Sequence, residues 1–180
     1  MPRYGAVMVE KRSDAPFEVR RLSPSDAGSY RDLRLVGLRA DPEAFGASWE
    51  EEAAHPLAWF EGRLDQNVIF GGGETVESAL RGVVGFYVPD SAKQRHRGVL
   101  WGMFIRPEAR GTGLGPLLVA RVLEHARQTV EEVRLTVVAT NAAAIRLYER
   151  AGFERYGLEQ RALKIGKDYH DEVLMALSLR

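Results

Sequence analysis

The sequence contains no cysteine, which excludes disulfides, thiolate metal sites and a cysteine nucleophile. It has no surplus of charge: 25 basic and 25 acidic side chains cancel, so no general electrostatic grip on nucleic acid or anionic lipid is expected. Long hydrophobic runs are missing too. The longest mostly apolar stretch, Gly98–Ile105, is far too short to cross a bilayer. The opening residues MPRYGAVMVEKRSDAP lack the continuous apolar core of a signal peptide. No nucleic-acid or membrane partner is therefore expected, and a cytoplasmic location is the default expectation. His55, His96, His125 and His170 are scattered without metal-ligand spacing, so no metal is expected.

What is present is 45% hydrophobic and 28% charged, the composition of an ordinary globular chain. A length of 180 residues suits one core rather than two. Residues 1–16 read as a loose, polar lead-in, and 17–180 as a single domain. Phe17–Leu22 alternates like a half-buried strand. Ser23-Pro24-Ser25-Asp26 then supplies helix-start chemistry, for a helix that should stop before Asp41-Pro42. A second helix is expected over Glu50–Leu64, capped by Ser48 with Glu51 as its box partner, and Pro56 predicts a break into two short ones. Asn67–Phe70 and Arg81–Val88 read as strands around a turn-prone Gly71-Gly72-Gly73.

Gly98–Ile105 reads as a central strand buried on both sides. Leu114, Leu118, Val122 and Ala126 mark one face of a helix over Leu114–Gln128. Val133–Thr140 is the next strand, and Asn141–Arg150 a short helix closed by Gly152. Two final strands, around Arg155–Ile165 and Val173–Leu179, flank a turn at Gly166-Lys167-Asp168. The order of strands and helices predicts a mixed α/β sandwich rather than a doubly wound sheet.

The run from Met103 to Pro116 concentrates the chemistry. A strand ends, a short turn follows, and Gly111, Gly113 and Gly115 open a helix. Glycines let backbone approach a ligand closely, and free amides at a helix start favour an anion such as pyrophosphate. Pro116 fits, because first-turn residues need no amide partner. A Walker loop would need Lys-Ser/Thr after its last glycine, and a dinucleotide fingerprint its third glycine where Pro116 stands. A turn that merely joins strand to helix is the competing structural reading.

The segment Arg110-Gly-Thr-Gly-Leu-Gly115 resembles the Gln/Arg-x-x-Gly-x-Gly/Ala signature of the GNAT superfamily of N-acetyltransferases. Asn141-Ala-Ala-Ala-Ile-Arg-Leu-Tyr-Glu-Arg-Ala-Gly-Phe153 resembles that superfamily's second motif. The element order extends the likeness over most of the chain from Phe17 onward. The resemblance implies a mixed, mostly antiparallel central sheet of six to seven strands flanked by about four helices. It also implies acetyl-CoA as cosubstrate, no metal, and direct transfer to a primary amine of a small molecule or peptide. A homodimer is the family's habit. Two alternatives remain open: an acyl-CoA-binding sensor without turnover, and an acetyltransferase acting on a protein lysine or N-terminus.

By similarity, backbone groups of Met103, Phe104 and Ile105 would hold the pantetheine and the acetyl carbonyl, where an amide stabilises the oxyanion. Pyrophosphate would lie along Gly111, Thr112, Gly113, Leu114, Gly115 and Pro116, although Pro116 has no N–H. Arg110 would add charge or cap the turn. Asn141 matches a pantetheine contact and is also a good helix N-cap. Tyr148, seven residues on and hence on the same helix face, matches the tyrosine that protonates the departing thiolate; the bland alternative is a core ring.

No acid stands on Gly98–Ile105, where several branches carry their general base. Thr136 occupies the position of a glutamate used by branches that act on protein N-termini. Asp41, Glu43, Glu50, Glu51, Glu52 and His96 are the remaining base candidates, each also readable as a solvated surface residue, and a water chain could serve instead. The acceptor surface maps onto Ala40–Phe60 and Lys164–Val173, with Phe45, Trp49, Trp59, Phe60 and Tyr169 as aromatic area. Glu50–Glu52 would suit a cationic acceptor, or be no more than a helix start.

Overall fold

The computed structural model describes residues 17–180; the lead-in expected over 1–16 lies outside them. Strand β1 (Glu18–Arg21) runs into a single helical turn, Pro24–Asp26, and then α1 (Ala27–Ala40). The Ser23 amide donates to the Asp26 carboxylate at 2.8 Å. Arg20 grips both oxygens of Asp26, at 2.7 and 2.9 Å. Those hydrogen bonds hold the Asp26 carboxyl at about 2, below its ordinary value. Helix α1 stops at Asp41, as Pro42 requires.

The next helical segment is broken at Pro56 as expected, into α2 (Trp49–Ala53) and α3 (Leu57–Gln66). Ser48 and Glu51 form the reciprocal box, at 3.1 and 3.2 Å. There follow β2 (Val68–Gly73), β3 (Gly82–Tyr87), β4 (Arg97–Ile105), α4 (Leu114–Ala126), β5 (Glu132–Val138), α5 (Ala142–Arg150), β6 (Glu154–Ile165) and β7 (Asp168–Ser178).

Three expectations need correcting. Gly71–Gly73 form not a turn but the second half of β2, paired with β1 and β3. Glycine is there because neighbours press on the backbone: a Cβ on Gly72 would meet Leu114 at 2.7 Å and Val19 at 2.9 Å. Strand β7 begins at Asp168 rather than Val173, because the hairpin with β6 continues past the end of β5. Glu52 is not solvated; it is 3% exposed and gripped by two guanidiniums, Arg34 at 2.8 and 3.0 Å and Arg63 at 3.0 and 3.1 Å.

The seven strands form one sheet in the order β1-β2-β3-β4-β5-β7-β6. Every neighbouring pair is antiparallel except β4 and β5, which are parallel. Helix α4 buries its predicted stripe, Leu114, Leu118, Val122 and Ala126, against one face of the sheet. Tyr30, Leu33 and Leu38 of α1 and Phe60 and Leu64 of α3 pack on the other, against Ile69, Val83 and Phe104. Each such Leu, Ile, Val or Phe side chain contributes about 1.5–3 kcal/mol on burial.

The decisive irregularity lies at the centre. Strands β4 and β5 pair only over Arg97–Val99 with Glu132–Arg134. Beyond that the ladder ends, and β4 bulges at Gly102, whose φ is +61°. The expected two-sided burial of β4 holds at Leu100 and Phe104 but not at Trp101–Met103, which are only partly covered.

Candidate active site

A cleft of about 1240 Å³ starts where β4 and β5 part. One wall is the end of β4, Met103, Phe104 and Ile105; the opposite wall is Val138, Thr140 and Asn141 with the inner face of α5. The loop Arg110–Gly113 and the start of α4 close one side, and Asp41–Phe45, after α1, form another. Of the residues singled out in the sequence, Met103, Phe104, Ile105, Arg110, Gly111, Gly113, Gly115, Pro116, Asn141 and Tyr148 line this cleft. Thr112 and Leu114 turn away from it. The Thr112 hydroxyl donates to the Ala109 carbonyl at 2.5 Å, and Leu114 is fully buried in the core.

The loop geometry follows from its glycines. Gly113 caps α4 with φ +97°, and Gly111 has φ +75°; both lie in the left-handed region that side chains disfavour. A Cβ at either would project into open space, so backbone conformation rather than crowding demands glycine. Gly115 is different: a Cβ would meet Ile105 at 3.1 Å and Leu147 at 3.4 Å. That close packing ties the start of α4 to β4 and α5. Arg110 anchors the loop from both ends, donating to the Ile105 carbonyl at 3.0 Å and to Asp41 at 2.6 Å.

Asn141 caps α5, accepting from the Ala144 amide at 3.0 Å, while also facing the cleft. Tyr148 is 6% exposed, its ring edge-on to Phe153 with centroids 5.8 Å apart. Its hydroxyl donates to the Met103 sulfur at 3.4 Å, so a sulfur from β4 already occupies the reach of this phenol. Burial pushes the phenol well above its ordinary value, and the O–H stays protonated throughout the working pH range.

The base candidates scatter. Asp41 is paired with Arg110, Glu51 is committed to the cap of α2, and Glu52 lies buried beneath it. Glu50 and His96 are exposed, and neither reaches the cleft. Glu43 lines the cleft. Among the aromatics expected on the acceptor side, Phe45 lines the cleft, while Phe60 is wholly in the core. Trp49 and Trp59 are stacked under Arg39 and Arg63 at 4.0 and 3.9 Å.

Three charged cleft residues carried no assignment from the sequence: Arg127 at the end of α4, and Arg146 and Arg150 on α5. Arg146 and Arg150, four apart, share a helix face, but it is not the face of Tyr148, two residues from each, so the motif did not point to them. Glu172 on β7 was also missed. Burial raises its carboxyl, the Thr136 side chain beside it lowers it, and Glu159 raises it again, with a net upward shift. Nothing in the local sequence marks it.

Among the described residues, no group of three or more His, Asp or Glu side chains could hold a metal, and no helix is long and apolar enough to cross a membrane. The acetyltransferase (GNAT) family matches residues 36–153. Mycothiol acetyltransferase of Kocuria rhizophila is 39% identical over 72 residues, which is 39% of this chain and 24% of that protein. The namesake from Gordonia bronchialis is 45% identical over 56 residues, 31% of this chain and 18% of that protein. The chain thus spans about a quarter or less of the length of the curated relatives it matches.

A GNAT-family acetyltransferase from Streptococcus pneumoniae has the same fold, with a TM-score of 0.78 and 24% identity over 90% of this chain and 98% of that one. A Salmonella typhimurium protein solved with its cofactor acetyl-CoA superposes with a TM-score of 0.75 at 19% identity, over 92% of this chain and 95% of that one. The family match over most of the chain, the seven-stranded sheet parted at its centre and the glycine loop at the parting have one conclusion: this chain belongs to the GNAT family of acetyltransferases.

Proposed function

We propose that the protein moves an acetyl group from acetyl-CoA to the primary amine of a small molecule or peptide, directly, in a ternary complex. The observation that carries this reading is the continuity of the cleft. It runs from the positive-φ loop at the start of α4, past the Tyr148 wall, to Asp41–Phe45 on the far side of the sheet. A donor and an acceptor can therefore enter from opposite faces and meet at the parting. With no cysteine in the chain, a thioester acyl-enzyme has no nucleophile available.

The residues fit the donor. Gly111 and Gly113, both left-handed, line the cleft at the N-terminus of α4, where free loop amides would suit pyrophosphate. Arg127, Arg146 and Arg150 add positive charge along the same arm. Free backbone on β4 after Val99 would hold the pantetheine amides, and an amide at Met103–Ile105 would stabilise the oxyanion as the amine attacks. Tyr148 would donate its proton to the leaving sulfur; the dry surroundings that raise its phenol also disfavour a bare thiolate.

Calorimetric titration tests the first half of this reading. Acetyl-CoA should bind tightly, free CoA should bind, and NAD should not; no binding of either CoA species would overturn it. Thiol release across a broad amine panel tests the second half, and binding without any turnover would favour a sensor instead. Gly113→Val should weaken acetyl-CoA binding by at least about tenfold, or 1.4 kcal/mol, because a β-branched side chain is strained at φ +97°. Unchanged affinity would argue that the loop only joins strand to helix.

A further inference from the structure

We propose that Glu172 is the general base that takes the proton from the acceptor amine. The assignment rests on the amine-acetylating reading above and supplies the group that the sequence of β4 lacks.

Register places this carboxyl. Glu172 on β7 sits directly across from Val138 on β5, and Val138 lines the cleft. Val99 on β4 pairs with Arg134. Counting forward from that pair, past the bulge at Gly102, brings Val138 level with Met103 and Phe104 across the parting. Glu172 thus lies on the row of β4 backbone where the acetyl group would sit, behind Val138 and just outside the cleft lining, one strand spacing of about 4.8 Å away, a span that one water bridges.

The face is right as well. Val133, Leu135 and Val137 point into the core under α4, so by alternation Thr136, Val138 and the cross-strand Glu172 point the other way. On that side the turn Pro42–Ala44 packs against β5 and β6. Donor phosphates would lie by α4, and an acceptor entering beside Asp41–Phe45 reaches the acetyl carbon from the Glu172 side.

The surroundings are those of a proton acceptor poised for work. From β5, Thr136 lies beside the carboxyl. Arg134, one step further along that face, is engaged by Glu132 and lies over Tyr156, 5.3 Å from its centroid. From β6, Glu159 stands opposite and repels the charged form. Arg161 is directed elsewhere, its amide donating to Asp171 at 2.8 Å and its guanidinium lying over Tyr169. His170 is two residues back on β7, and Glu43 belongs to the packed turn. No guanidinium is paired with Glu172 among the described residues, whereas Asp41 is tied by one and Glu52 by two. A carboxylate left free of cations and half-covered is a stronger base.

The step balances. The Glu172 carboxylate takes a proton from the ammonium, directly or through one water, and passes it to bulk solvent. The freed nitrogen lone pair forms the N–C bond. The C–S bond breaks with its electron pair on sulfur, which Tyr148 protonates. The second amine proton leaves the tetrahedral intermediate by way of Glu172, and solvent restores Tyr148.

The test compares benzylamine, a cation at neutral pH, with aniline, already neutral, using wild-type protein, Glu172→Gln, Glu172→Asp and Glu43→Gln. Glu172→Gln should lower kcat/KM for benzylamine by about 10²–10⁴-fold and abolish the acidic limb of its pH profile. Aniline should lose far less, acetyl-CoA affinity should be unchanged, and Glu172→Asp should restore part of the rate. Carbon NMR of the carboxyl in the full-length protein should give a titration midpoint above the ordinary glutamate value of about 4.3, falling in Glu159→Gln.

Equal losses for both amines, a limb that moves with Glu43→Gln instead, or an ordinary midpoint would each overturn the assignment. Wild-type protein that binds acetyl-CoA yet acetylates neither of these nor any member of the broad amine panel would sink the amine reading itself, and the base with it.

Discussion

Tyr148→Phe is expected to lower kcat by about 10²–10⁴-fold, equivalent to about 3–5 kcal/mol of barrier, while leaving the acetyl-CoA dissociation constant where it was. The substitution removes one oxygen and keeps the ring. The edge-on packing against Phe153 and the burial of the side chain therefore survive, and the fold has little reason to respond. What disappears is the only hydrogen-bond donor that this side chain offers, the one now directed at the Met103 sulfur. A thioester sulfur is a poor acceptor until it begins to leave, so the loss falls on the transition state and not on ground-state binding. Steady-state thiol release and calorimetric titration of the same preparation separate the two quantities. Unchanged turnover would return Tyr148 to the role of a core aromatic.

Glu52→Ala is expected to cost about 3–5 kcal/mol of folding stability, the range for removing one partner from a buried ion pair. Two guanidiniums converge on this carboxylate, and Arg34 is itself only 4% exposed, so the substitution strands positive charge without water. Urea denaturation at pH 7 provides the comparison, and a loss below about 1 kcal/mol would mean that the arginines find solvent.

The acid dependence has a definite sign. Burial alone would raise the Glu52 carboxyl, but Arg34 and Arg63 outweigh it and hold it below its ordinary value. Its contribution is then present above the unfolded value of about 4.3 and is lost as pH falls through the lower, folded value. The gap between wild type and variant should accordingly narrow in acid. Arg34 also lies over the Phe45 ring at 4.7 Å, so loosening this network should disturb the acceptor side of the cleft before the donor side.

Local chemistry made much of the fold legible. Pro42 ended α1, Pro56 split the second helical segment, and Gly152, with φ +99°, closed α5. The period of Leu114, Leu118, Val122 and Ala126 identified the face of α4 that is buried. The loop–helix joint was legible because its chemistry is contiguous.

What escaped was set by distant partners. Gly71–Gly73 read as a turn because composition cannot distinguish glycine chosen to bend from glycine chosen for lack of room. The start of β7 escaped because Asp168–His170 pair only with β6 and are partly or fully exposed, so no apolar alternation marks them. Glu52 sits in an acidic run that looks solvated, and its partners are 18 and 11 residues away in sequence. Glu172 has significance only through the register of two strand pairs, which no window along the chain contains.

An open sheet of seven strands ordinarily exposes two rims. Here β1 and β6 supply those, and the early end of the β4–β5 ladder adds two more inside the molecule. Outer rims are places where foreign chains add as extra strands. These inner ones are screened by α4 and α5 on one side and by Asp41–Phe45 on the other, and they converge to full pairing at Arg97–Val99. A second polypeptide strand finds no room to zip through such a wedge. A slender, amide-bearing chain can enter from its wide end and borrow hydrogen-bonding groups that a continuous sheet would already have used. Such a wedge would give strand-like recognition to a ligand that is not a peptide, and its inner rims are spared the aggregation hazard of a naked edge.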